Sequence, residues 1–79
     1  MVVVMRRHGL RVVIYRDDHL PAHVHVFGDG EAKIELIGVD GTPRLLSADG
    51  FKRSDLRRAM EIVTDNRNAL IRRWREIHG

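Results

Sequence analysis

There is no cysteine among the 79 residues of this chain. Neither a disulfide nor a thiolate metal site is open to it. A small core must be held by packing, and any metal by nitrogen and oxygen donors. Aromatic residues are scarce, with one Trp, one Tyr and two Phe. Trp74 and Phe51 therefore read as core or dimer contacts rather than a base-stacking pair. Long apolar runs are also missing, which excludes a membrane-spanning helix by length. The N-terminal Met1-Val2-Val3-Val4-Met5 is too short for a signal-peptide core, and Arg6-Arg7 follow it instead of preceding it. A cytoplasmic protein is expected. With no repeat, low-complexity tract or linker, one domain over 1–79 is expected, its core near the lower limit for independent stability.

Lysine is nearly absent as well, and arginine takes its place: of 14 basic residues 12 are Arg, and the formal charge is +3. The guanidinium is a planar five-donor fork that grips phosphate or carboxylate through two bonds. A GC-rich coding sequence gives the same bias. Nucleic acid and an acidic protein are both partners that such a charge fits.

The first part of the chain patterns as β-structure. Val2–Met5 and Leu10–Arg16 are β-branched-rich runs flanking Arg6-Arg7-His8-Gly9, with Gly9 suited to a positive φ. A second hairpin runs from His23–Phe27 through Gly28-Asp29-Gly30 to Glu31–Ile37. A three-residue turn with Gly30 left-handed pairs Val26 with Ala32, Val24 with Ile34, His25 with Lys33 and His23 with Glu35. That register separates an apolar face from a polar one, which a two-residue turn does not. Leu45-Leu46 is a candidate edge strand. Beyond it, Leu56, Ala59, Met60, Val63, Leu70, Ile71, Trp74 and Ile77 recur at helical spacing, with Ser54 as N-cap. Asp65-Asn66-Arg67 interrupts the stripe and leaves two helices as the alternative to one. The expected fold is α+β: a small antiparallel sheet of two hairpins over about 2–47, packed against one long C-terminal helix over about 54–77.

The densest chemistry lies in Asp17-Asp18-His19-Leu20-Pro21-Ala22-His23-Val24-His25-Val26, which holds three of the five histidines. On a strand, His23 and His25 project to one face. As neutral imidazoles they could share one Zn²⁺, with His19, Asp17, Asp18 or Glu35 as further donors. As an acid–base pair they could serve metal-free RNA cleavage, Lys33 and Arg57 or Arg58 stabilising the charged transition state. The alternative to both is structural: Asp18 and His19 cap the turn before Pro21, His23 satisfies loop carbonyls, and function lies in a protein–protein surface. The expected chemical centre is His19, His23 and His25, with Asp18 as the orienting carboxylate. Lys33, Lys52, Arg53, Arg57 and Arg58 are the candidate RNA-phosphate contacts. The four at the helix start oppose the helix dipole, as an anion site there would require. His8 and His78 read as incidental. A homodimer through the helix would enlarge the small core.

Gly9, the strand Arg11-Val12-Val13-Ile14-Tyr15, the run Asp18-His19-x-Pro21-x-His23-Val24-His25-Val26, Gly30-x-Ala32-Lys33, Gly50-Phe51 and a C-terminal helix bearing Trp74 together resemble the small bacterial proteins of the domain of unknown function 4160 family. Ala22 stands where such proteins usually carry Pro. The resemblance spans nearly the whole chain and implies no established activity. It does imply a neighbouring gene for another small protein, in an arrangement like a toxin–antitoxin pair. The leading expectation is an RNA-associated member of such a pair, with a zinc-binding enzyme or regulator and a non-catalytic interaction module as alternatives.

Overall fold

A computed structural model describes all residues, Met1–Gly79. Five strands, β1 (Val2–Arg7), β2 (Leu10–Ile14), β3 (His23–Phe27), β4 (Glu31–Glu35) and β5 (Arg44–Asp49), form one sheet in the order β1-β2-β3-β4-β5. All four pairings are antiparallel. Two helices follow, α1 (Arg53–Asp65) and α2 (Arg67–His78). Neither is long and apolar enough to cross a membrane.

This corrects the expectation of two hairpins under one long helix. Both hairpins form, but β2 pairs with β3 and β5 extends the sheet, so the strands make a continuous meander. The helix breaks at Asn66, whose φ of −113° and ψ of 17° depart from helical values. Its amide Nδ2 donates to the Ile62 carbonyl at 2.8 Å, a second bond to the carbonyl that also accepts the Asn66 backbone N–H at 3.1 Å. Length explains the need for a break. A straight helix over 54–77 would run about 36 Å, longer than the 34 Å greatest extent of the whole molecule. Broken, the two halves both lie on the sheet. α1 begins one residue before Ser54 and uses Lys52 as its N-cap, without a side-chain capping bond.

The β3–β4 register is the one that separates the faces: Val26 opposite Ala32, Val24 opposite Ile34, His25 opposite Lys33, His23 opposite Glu35. The apolar set Val12, Ile14, Val24, Val26, Ala32 and Ile34 is sealed against Ala59, Ile62 and Val63 of α1 and Leu70 and Trp74 of α2. Burying each such aliphatic side chain is worth about 1.5–3 kcal/mol, which is what fixes the register. The opposite face carries Val13, His25 and Lys33 side by side across three strands.

Gly30 is needed for a reason other than a left-handed φ, which it does not adopt. A Cβ there would lie 2.6 Å from the backbone nitrogen of Phe51, so β5 and the entry to α1 can pass only over a glycine. In the β1–β2 turn His8 and Gly9 both have positive φ, 53° and 77°, which suits a two-residue hairpin of the primed type.

Candidate functional site

The loop between β2 and β3 turns back on itself at Asp18. The Asp18 backbone N–H donates to the Tyr15 carbonyl at 3.1 Å, and its Oδ2 accepts the Tyr15 backbone N–H at 3.1 Å. This reciprocal turn holds the carboxylate over the start of β3, beyond the cis Leu20–Pro21 bond. His23 begins the strand, buried to 4% exposure. Two residues on, His25 projects to the same sheet face, 5.2 Å from the His23 ring centre to centre. Tyr15 meets His25 edge-on at 4.7 Å, and Trp74 of α2 closes on His23 at 5.4 Å.

Asp18, His23 and His25 converge. His23 Nε2 and His25 Nε2 each lie 3.4 Å from the same oxygen, Asp18 Oδ2. The three donor atoms fall within 4.8 Å of one another. His23 Nδ1 donates to the Pro21 carbonyl at 2.8 Å, which gives the Nδ1 proton its acceptor. A neutral His23 then turns the lone pair of Nε2 toward a carboxylate oxygen, an unfavourable facing of two acceptors. Neither that nitrogen nor either nitrogen of His25 has a hydrogen-bond partner, although all three atoms are buried. Leaving a buried polar atom unpaired costs about 1–3 kcal/mol, and two of the three, the Nε2 atoms of His23 and His25, face the same Asp18 oxygen. His25 Nδ1 lies 3.4 Å from Glu31 Oε2.

The remaining sequence candidates are not gathered here. His19 is exposed and faces a cavity beside Asp18 instead of the donor cluster. Glu35 pairs with His23 across the sheet but lies outside the cluster, and the carboxylate that reaches His25 is Glu31. Lys33 sits opposite His25, on the face of β4 opposite the core residues Ala32 and Ile34. Lys52, Arg53, Arg57 and Arg58 are exposed at the start of α1, on the other side of the sheet, so Lys33 and the arginines do not form one phosphate cradle.

Two further residues complete the surroundings. The register read from the sequence already sets Glu31 opposite Phe27 and so diagonal to His25, but not that its side chain is the one that reaches the ring. His78, far away in the chain, brings Nε2 within 3.2 Å of the Tyr15 carbonyl and Nδ1 within 3.0 Å of the Trp74 carbonyl. It stacks on Trp74 at 3.7 Å and ties the end of α2 to the end of β2.

The family model described as Domain of unknown function (DUF4160) matches residues 9–75 of the chain. No curated protein and no solved structure matches the chain.

Proposed function

The chain belongs to this family, whose description assigns no chemistry, and we propose that it binds a divalent transition metal, Zn²⁺, through Asp18, His23 and His25. One observation carries the reading: two buried imidazole nitrogens without hydrogen-bond partners each stand 3.4 Å from one carboxylate oxygen. With bonds of about 2.1 Å, neighbouring donors on a tetrahedral zinc are about 3.4 Å apart. Adjacent donors on an octahedral ion with the same bonds would be about 3.0 Å apart, which favours the tetrahedral ion. The imidazoles, at most 4.8 Å apart, draw together on binding.

The surroundings support it. Zinc-bound histidines donate their other ring N–H to a carbonyl or carboxylate, which fixes the tautomer. Pro21 fills that role for His23, and Glu31 stands where it would for His25. Three protein donors leave a fourth position for water or a ligand, the pattern of a catalytic or regulatory zinc and not of a closed structural one.

The test is equilibrium dialysis against Zn²⁺ with elemental analysis. One zinc per chain, lost in His25→Ala and in Asp18→Asn, is the expected result. No uptake by the folded wild type, or equal uptake by the variants, overturns the reading.

A second reading, RNA association in a toxin–antitoxin-like pair with a neighbouring gene's product, has the exposed Lys52, Arg53, Arg57 and Arg58 in its favour. RNA binding through them would weaken steeply with salt and lose slope as each is neutralised. RNA cleavage that survives EDTA and disappears in His23→Ala/His25→Ala would instead make the histidines a metal-free acid–base pair. A tight complex with the neighbour's product, with neither zinc nor RNA bound, would favour a plain interaction module.

A further inference from the structure

One row of side chains crosses all five strands on the sheet face opposite the core. The registers set Arg6 beside Arg11, Arg11 beside Phe27, Phe27 beside Glu31 and Glu31 beside Asp49. On the central strands its members alternate with the core residues Val12, Val26 and Ala32, so the row points away from the core. Arg11 lies over the Phe27 ring at 5.7 Å, as neighbours on one face do. α2 comes to this face at the other end of β3, where Trp74 meets His23. The row is left uncovered: its four charged residues are exposed and Phe27 is half-buried.

Two cations stand on one side of Phe27 and two carboxylates on the other. Like charges directly opposite on neighbouring strands destabilise a sheet, and the row holds two such pairs, Arg6 with Arg11 and Glu31 with Asp49. Nothing within the chain relieves them. Neither arginine nor Asp49 forms an ion pair, and Glu31 has only the His25 ring, at 3.4 Å. A surface that fits must bring the opposite order, two carboxylates, an apolar centre and two cations. The same row turned end for end is that surface.

We propose that this face is the contact between two copies of the chain, packed sheet to sheet about a two-fold axis parallel to β3 that passes between their Phe27 rings. A two-fold contact is self-complementary. Here Arg6 meets Asp49 of the second copy, Arg11 meets Glu31 of the second copy, and the reverse contacts repeat across the axis. Facing sheets lie about 10 Å apart, a gap that an arginine and a carboxylate side chain close from its two sides. An axis along the row would set arginine on arginine, so charge selects the orientation. The next row, Val3, Val13, His25, Lys33 and Ser47, carries one permanent charge. Lys33 lays its aliphatic stem along Val13 of the second copy and keeps its ammonium in water.

The proposal stands apart from the zinc reading, and its test, sedimentation equilibrium, is run in EDTA. The wild type is expected to sediment as a pair of 9.1 kDa chains, less tightly as salt rises. Arg6→Glu/Arg11→Glu and Glu31→Lys/Asp49→Lys each set like charge on like across the contact. Each should weaken the dimer about tenfold or more. Joining all four substitutions in one chain restores the complementarity at unchanged net charge and should recover the dimer. All four sites are exposed, and urea unfolding of each variant checks that it is folded. A wild type still monomeric at about 1 mM overturns the proposal. So does a dimer that both double variants keep, which would lie on another surface such as the helices, and so does a folded fourfold variant that stays monomeric. RNA bound by a monomeric wild type and lost in Arg6→Glu/Arg11→Glu would assign the cationic half of the row to nucleic acid and overturn it as well.

Discussion

Adding zinc should raise the thermal stability of this domain by an amount that follows from where its donors sit. Asp18 is on a loop, and His23 and His25 are on β3, so one ion ties the β2–β3 loop to the middle of the sheet. At free zinc about 100 times the dissociation constant, binding to the folded state adds about 2.7 kcal/mol. A domain of this size gains about 4–8 °C per kcal/mol, so the melting temperature should rise by about 10–20 °C. The lower end is expected, because the donors span a short stretch of sequence and the unfolded chain keeps a weak zinc affinity of its own. Asp18→Asn is the matched control. Its side-chain oxygen can still accept the Tyr15 N–H, so the turn survives, but the anionic donor is gone. If the site weakens about 100-fold, the same zinc leaves about 0.4 kcal/mol, or about 2–3 °C. Differential scanning calorimetry with and without EDTA reads both. A wild type whose melting temperature ignores zinc would refute the reasoning, as would an Asp18→Asn variant that gains as much as the wild type.

Three further outcomes are expected. His78→Phe keeps a ring on Trp74 but loses both carbonyl contacts. It should cost about 1–3 kcal/mol in urea unfolding with an unchanged m-value, and an unchanged midpoint would show that the α2 latch carries no stability. Gly30→Ala drives a methyl into the Asp49–Phe51 backbone. It should destabilise by about 1–3 kcal/mol and raise amide exchange along β5 before β2, whereas uniform exchange would count against a local clash. The Thr42 hydroxyl, at 2.7 Å, and then the Thr42 backbone N–H hold the Asp40 carboxyl below its ordinary value of 3.8. A depressed folded value stabilises the fold above the unfolded one, and that stability is lost as pH falls below 3.8 through the folded value. In Thr42→Val the Asp40 carboxyl resonance should titrate nearer 3.8, and an unmoved titration would mean that the hydroxyl is not the main cause.

The central hairpin was legible because one register, and one only, sorted its side chains into an apolar and a polar face. The first hairpin was legible from Gly9. The helix break was marked, by the interruption at Asp65-Asn66-Arg67, but not decided, because Val63 and Leu70 are a heptad apart and fit one helix or two. What decides it is the size of the sheet beneath, which periodicity does not report. β5 was visible only at Leu45-Leu46, since an edge strand exposed along most of its length shows no alternation. Gly30 showed that a glycine in a turn can answer to a neighbouring strand's backbone instead of to its own φ, the left-handed residue nearby being Gly50 at 77°. At the site, the i,i+2 spacing of His23 and His25 placed both rings on one face. It did not distinguish Asp18 from its neighbour His19, because adjacent loop residues diverge in directions that only the fold sets. Glu31 follows from the register once the diagonal neighbour of His25 is considered, whereas His78 reaches the site through helix docking, which leaves no mark in local sequence.

The measurement that bears most directly on the proposed zinc site is anomalous diffraction at the zinc edge from crystals grown with equimolar metal. The account predicts one peak per chain, about 2.0–2.1 Å from Asp18 Oδ2, His23 Nε2 and His25 Nε2. A peak elsewhere on the surface, or none with the three side chains ordered as they stand now, would contradict it.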